Sequence, residues 1–389
     1  PINKLLKNSM SEFESTKRFD REIQRFMRYW GIRGGSFALM RNDSLLYAKG
    51  YGYANVEDTI KCSVSDLFRV ASVSKLITAV GIMKLKEQGH LKLNQTVFGK
   101  DGILNDSIFT HRIRDKKIKN VTVEHLLRHT SGFSNPIGDA AFNPDIVARV
   151  LHKPLPLTLD DMVEYASLNK LRHRPGTSYN YSNIGYLVLS KIIEKVTNIE
   201  YETYIKDSIL TPIGCYDMHL AQNYPWNFKD HEVTYYEVKE AEKVPAFDGS
   251  SKMVMKSLGG NDVRGLSGAG GWIASAPELL LFVAAINKNS GRENFLTKES
   301  IKQMTHFDKR LKPIGWASVT SKEWLRSGSM AGTSALIKRQ KDGYTWVFIS
   351  NSSSWNGPYL SKRMSHSIST AIRRVKEWPK QDLFNVAAQ

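Results

Sequence analysis

Ser72 and Lys75 stand three residues apart in the run FRVASVSKLITAV, residues 68–80. The run predicts a polar approach and then the first turns of a buried helix, with Ser72 at its start. Residues i and i+3 share a helix face, so the hydroxyl and the amine come together. Val70, Ala71, Val73, Leu76, Ile77, Ala79 and Val80 surround them with apolar or small groups. Such surroundings desolvate the amine, disfavour its charged form and make it a usable base. The helix N-terminus adds partial positive charge that favours developing negative charge. A weakly acidic serine is activated as a nucleophile in this way. The same spacing recurs at Ser167 and Lys170 in EYASLNK, which reads as an exposed helix end. The pattern therefore needs partners. Tyr181-Ser182-Asn183 and Arg326-Ser327-Gly328 offer a phenol, an amide and a guanidinium. A tyrosine beside two cations loses its proton more easily. Tyr53-Ala54-Asn55 repeats the Tyr-x-Asn spacing inside a strand-like run and serves as a decoy. His125 and His129 lie four apart in VEHLLRHTSGF, but Leu126 occupies the place where a zinc protease carries its glutamate. Hydrogen-bonded structural roles are expected for both histidines, and no metal or cofactor is called for.

These residues need elements to hold them. Phe19, Ile23, Phe26, Met27 and Trp30 form one apolar stripe at helical spacing, and residues 11–30 read as an amphipathic helix. GSFALMRND and SLLYAKGYGYA read as a hairpin turning at residues 41–44. Thr122 is the expected N-cap of a short helix, and Tyr181-Ser182-Asn183 precedes a long apolar helix from about Gly185 to Val196. GLSGAGGWIASAPELLLFVAAINK reads as a glycine-rich loop and then a helix opened by Ser275, Pro277 and Glu278. Four strand-like runs follow: GWASV, EWLRSGS, TSALIKR and YTWVFISN. A final helix carries Met364, Ile368, Ile372 and Val375 on one face. Strands from both chain ends thus predict one antiparallel sheet flanked by helices, an α+β architecture. The expected division is residues 1–60 with 286–389 as the sheet domain and 61–285 as a mainly helical domain, with the site between them.

The totals agree with this plan. The chain has 389 residues, 41% of them hydrophobic, enough for a sizeable core. No apolar run reaches the length of a membrane span. No secretory signal is expected, and the start at Pro1 leaves a trimmed N-terminus open. Cys62 and Cys215 could pair or stay free. The net charge is +17, from 55 basic and 38 acidic residues, which suits an anionic partner such as a cell-wall surface. No nucleic-acid module with interleaved aromatics is present. The densest basic run, HRIRDKKIK at residues 111–119, reads as a solvated face.

In order and spacing the chain resembles the serine β-lactamase and penicillin-binding-protein superfamily, in its class C, DD-peptidase and esterase-like branch. The resemblance runs from about residue 35 to 352. It rests on YGYAN, FRVASVSK, VEHLLRHTSGF, PGTSYNYSNIGY, TPIGCYDM, GAGGWIAS and RSGSMAGTSAL. It implies a β-lactamase/transpeptidase-like fold and a serine hydrolase acting through an acyl-enzyme. A β-lactam, a D-alanyl peptide or a small ester would be the substrate. A sensor that is acylated with little turnover is the alternative it leaves. It assigns Ser72 as nucleophile, Lys75 and Tyr181 as the base, and Asn183 as partner of Lys75 and of the substrate amide. Arg326, Ser327, Gly328 and Ser329 would line the substrate pocket, with the N–H groups of Ser72 and Ser329 as oxyanion hole. An extracytoplasmic location, in the periplasm or at the cell surface, follows as an expectation. Arg326 departs from the lysine or histidine usual in this branch. It stays charged and cannot shuttle a proton, but its fork can grip a carboxylate. The class A deacylation pattern Glu-x-x-Leu-Asn has only an imperfect counterpart, Glu164 to Asn169, one residue too long and placed before Tyr181. Deacylation would then run through Tyr181 and Lys75.

Overall fold

The structure is a computed structural model and describes residues 1–287 and 294–388. The first long helix, α1 (Lys17–Trp30), buries Phe19, Ile23, Phe26, Met27 and Trp30. It starts at Lys17 rather than at residue 11, because residues 8–11 and 14–16 form two short 3-10 turns. It stops at Gly31, whose φ of 70° returns its N–H to the last carbonyls. Strands β1 (Gly34–Arg41) and β2 (Ser44–Asn55) form the expected hairpin. Asn42 and Asp43 turn it with φ of 47° and 64°, as a two-residue hairpin turn requires. Short β3 (Ile60–Lys61) and β4 (Phe68–Arg69) follow. Next comes α2 (Ser74–Glu87), apolar on every side and buried along nearly its whole length. Then come α3 (Val123–Leu127), α4 (Asn183–Thr197), β5 (His219–Leu220), β6 (Val244–Pro245) and β7 (Met253–Val254). A short α5 (Ser267–Gly270), β8 (Trp272–Ala274) and α6 (Ala276–Ala285) lead back to the sheet. The chain closes with β9 (Ser318–Val319), β10 (Glu323–Met330), β11 (Thr333–Gln340), β12 (Tyr344–Ser350) and α7 (Leu360–Arg373).

Seven strands make one antiparallel sheet in the order β3-β2-β1-β12-β11-β10-β9. The two chain ends meet at its centre, where β1 pairs β12 from Gly35↔Ser350 to Arg41↔Tyr344. Both central strands are buried on both faces and alternate between two cores, as the period of two demands. Phe37, Leu39, Trp346 and Phe348 face α1 and α7. Ala38, Met40, Val347 and Ile349 face the larger core that contains α2, α4 and α6. Each large apolar side chain buried this way stabilises the fold by roughly 1.5–3 kcal/mol.

The mainly helical middle of the chain also carries short strands. It holds a three-stranded sheet, β4-β8-β5, and a two-stranded ribbon, β6-β7. The expected glycine-rich loop instead contains a helical turn, α5, and the strand β8. Ser167 also departs from expectation: it ends a helix, but it is fully buried, and its hydroxyl donates to the Glu164 carbonyl. The basic run at residues 111–119 is partly anchored, since Arg112 pairs with Glu164 at 3.3 Å and Ile118 is buried. Cys62 and Cys215 are buried free thiols. No helix among the described residues is long and apolar enough to cross a membrane.

Candidate active site

The nucleophile candidate sits on a braced turn. Residues 71–73 form a 3-10 turn that runs directly into α2. Ala71 adopts φ 48°, a left-handed conformation costing a non-glycine residue about 1–2 kcal/mol. Packing holds it there. β4 pairs with β8, the Val70 N–H donates to the Trp272 carbonyl at 3.0 Å, and the Trp272 N–H donates to Ser74 Oγ at 3.1 Å. On the other side β10 lies almost against the turn. A Cβ on Gly328 would stand 2.4 Å from the Val70 oxygen and 2.7 Å from the Ser72 nitrogen. Only a residue without a side chain lets that strand pass so close. The short β9 pairs with Trp324 and Leu325 alone. Beyond Leu325 the outer edge of β10 therefore has no strand partner among the described residues.

Ser72 Oγ is 2.7 Å from Tyr181 Oη and 3.1 Å from Lys75 Nζ. Lys75 Nζ also donates to Asn183 Oδ1 at 2.7 Å and to the Ala269 carbonyl at 2.6 Å. Three acceptors thus match the three donors of one buried ammonium. Tyr181 and Asn183 reach the turn because Ser182 caps α4, its side chain accepting the Gly185 N–H. Burial pushes the Lys75 pKa down, Arg326 adds to that, and Tyr181 opposes it. Burial alone would raise Tyr181, but the Lys75 and Arg326 cations outweigh it and hold the phenol at about 8. Both members of the pair therefore give up a proton more readily than in water. A hydroxyl held between them can be deprotonated as it attacks.

Arg326 is buried, on the same face of β10 as Gly328. Its guanidinium donates to the carbonyls of Ser327 at 3.1 Å and Gly315 at 3.2 Å, and forms no ion pair with a carboxylate among the described residues. A buried cation without a carboxylate partner suits an incoming anion. Ser329 lines a narrow cavity beside Ser72, together with Ala71, Phe142, Asn183, Leu266 and Met330. At about 10 Å³ it is room for a single water. Cavities of about 700 and 590 Å³ lie elsewhere, between the Lys191 and Asp106 surfaces and between α1 and α7. Neither contains any part of the Ser72, Lys75 and Tyr181 group, so geometry outranks size here.

The structure thus brings together Ser72, Lys75, Tyr181, Asn183, Arg326 and the 327–329 strand. The decoys stay apart from them: Tyr53 and Asn55 lie in β2, and Ser167 ends its own helix. The two histidines separate as well. His125 closes a capping box with Thr122. His129 lies beyond α3, with φ 58°, and stacks on Tyr181 at 4.5 Å and on Tyr186 at 5.2 Å. Its Nδ1 accepts the Ser182 N–H at 3.1 Å. Burial, then Lys75 and Arg326, hold its pKa well below the usual value, so it packs on the phenol as a neutral ring. Sequence reasoning missed three contributors: the stacking role of His129, the Ala269 carbonyl, and Asp139, whose carboxylate accepts from Asn183 Nδ2 at 2.6 Å.

Protein flp of Staphylococcus aureus (strain N315) is 28% identical over 231 residues, covering 58% of this chain and 42% of that protein. The chain spans less than half the length of that curated relative. The D-amino acid amidase of Ochrobactrum anthropi SV3 superposes with a TM-score of 0.71 at 18% identity, over 94% of this chain and 100% of that one. The octameric penicillin-binding protein homologue from Pyrococcus abyssi gives 0.67 at 22% identity, over 95% and 79%. These likenesses establish a β-lactamase/transpeptidase-like fold. The model of one family, described as Beta-lactamase, matches residues 19–366, and the chain belongs to that family.

Proposed function

We propose that the protein is a serine hydrolase that transfers an acyl group to water through an acyl-enzyme at Ser72. The observation that carries this reading is the placement of Ser72 Oγ within hydrogen-bond reach of both Tyr181 Oη and Lys75 Nζ. The Tyr181–Lys75 pair accepts the Ser72 proton while Oγ attacks the carbonyl carbon of an amide or ester. The oxyanion that forms faces the N–H groups of Ser72 and Ser329, a contribution of roughly a hundredfold or more per donor. Collapse breaks the bond to the leaving group, which takes the proton back from Tyr181. Water then repeats the cycle on the acyl-serine. The buried Arg326 favours substrates with a carboxylate near the scissile bond, which includes penicillins and D-alanyl peptides. Small esters fit the chemistry without that contact. The amidase similar in fold adds D-amino acid amides to the substrates worth testing.

One observation supports the slower alternative, a sensor acylated with little turnover. Glu164, in the imperfect counterpart of the deacylation motif, is engaged by Lys153 at 2.6 Å and Arg112 at 3.3 Å. Deacylation then depends on the acylating pair alone. Mixing the protein with a chromogenic cephalosporin, a D-alanyl-D-alanine peptide and a nitrophenyl ester separates the readings. Steady product release after any burst supports the hydrolase. One equivalent of product and then silence supports the sensor, and no reaction with any of the three contradicts both. The same reading proposes an extracytoplasmic location, where wall peptides are found.

A further inference from the structure

Asp139 stands one step behind the site. Its Oδ2 accepts from Asn183 Nδ2 at 2.6 Å, and Asn183 Oδ1 accepts from Lys75 Nζ at 2.7 Å. Its Oδ1 accepts the Ala141 N–H at 3.0 Å, and its own carbonyl takes Asn143 Nδ2 at 2.7 Å. Asp139 is therefore locked as the N-cap of the turn at residues 140–142, whose Phe142 lines the cavity beside Ser72.

An ionised carboxylate only accepts hydrogen bonds, and a lysine ammonium only donates. A primary amide between them has one orientation that satisfies both, with oxygen toward Lys75 and nitrogen toward Asp139. The reverse orientation sets donor against donor and acceptor against acceptor. We propose that Asp139 is a positioning residue for hydrolysis: it fixes the amide of Asn183 and, through it, the place and the protonation of Lys75. The inference rests on the serine-hydrolase reading above. Asp139 reaches no reacting atom itself.

Charge follows the same path. The titratable and charged groups around Lys75 are Tyr181, Arg326, Asp139, His129 and Tyr186. Burial and Arg326 favour loss of the Lys75 proton, while Tyr181 and Asp139 favour keeping it. Removing the Asp139 charge makes deprotonation of the Lys75–Tyr181 pair easier. The acid limb of the rate profile then moves to lower pH, whichever member of the pair it reports.

The test is kcat, KM and the pH–rate profile of Asp139→Ala and Asp139→Asn, on one carboxylated substrate and one neutral ester, with thermal unfolding as the check on folding. Asp139→Ala loses a charge-assisted hydrogen bond and should lower kcat on the order of ten- to a hundredfold on both substrates, with KM little changed. Asp139→Asn keeps an acceptor for Asn183 at the expense of the turn cap. It should recover part of kcat while its acid limb stays shifted to lower pH. If Asp139→Ala does not fold, the shifted limb of Asp139→Asn decides alone. An unchanged kcat, an unshifted limb, or a loss confined to KM on either substrate overturns the proposal. Ser72→Ala is measured alongside. If it stays active, the hydrolase reading itself has failed; if it is dead while the Asp139 variants match the parent, only this inference has failed.

Discussion

Lys75 and Tyr181 converge on one serine oxygen, so they should behave as one unit. Lys75→Ala and Tyr181→Phe are each expected to cost orders of magnitude in acylation, and the double variant should be little worse than the poorer single. Additive losses in a double-mutant cycle would place them in separate steps. Because the phenol is held at about 8, acylation should rise with pH through that region as the pair loses a proton, and Tyr181→Phe should abolish that limb. Arg326 acts in two ways that substrates can separate. It helps hold the Tyr181 pKa down, and it is a buried cation with no carboxylate partner among the described residues. Arg326→Ala should cost carboxylated substrates roughly 1.5–3 kcal/mol more than neutral esters. Arg326→Lys should restore only part of this, since it lacks the planar fork. Comparison of kcat/KM on the two substrates checks this, and equal losses would reduce Arg326 to a modulator of Tyr181. At this scale the sequence was informative wherever a side chain carries the chemistry. Ser72 and Lys75 share a face by simple spacing, and Tyr181 and Asn183 flank a helix cap. Ala269 was invisible, because it contributes a carbonyl that any residue type could supply. Asp139 was one of 38 acidic residues, and only the folded turn sets it against Asn183.

Among the elements, the turn at 71–73 and strand β10 must touch for the site to exist. Gly328→Ala should push them apart, since the two nearest atoms met by the new Cβ are backbone and cannot rotate away. A stability loss of about 1–3 kcal/mol is expected, with a loss of kcat/KM far out of proportion to it. Parental kcat/KM in a folded Gly328→Ala protein would show that the strand is not part of the site. The central strands and the outer helices were legible because their apolar periods are strict. The segment around α5 was not. Its glycines suggest a loop, yet they permit close packing: a Cβ on Gly268 would lie 2.4 Å from Ser190 Oγ and 2.5 Å from Thr78 Oγ1. Small residues let this turn press between α2 and α4 and present the Ala269 carbonyl to Lys75. The short strands β4, β5 and β8 were equally hidden, since two or three residues carry no period.

Over the whole molecule, the expectation that both chain ends build one sheet holds because β1 and β12 pair along their length and are buried on both faces. The Ser72 turn is then clamped from opposite directions, by β8 from the middle of the chain and by β10 from its end. Residues more than 250 positions apart thereby share one small site, with Ser72 at its centre. The most direct test of that claim is the intact mass of the protein after mixing with a fluorescent penicillin and with a simple ester. The parent protein should gain one acyl group, mapped by peptide digestion to the fragment containing Ser72, and Ser72→Ala should gain none and hydrolyse neither substrate. An adduct that persists in Ser72→Ala, or one that maps to Ser167, would contradict the account.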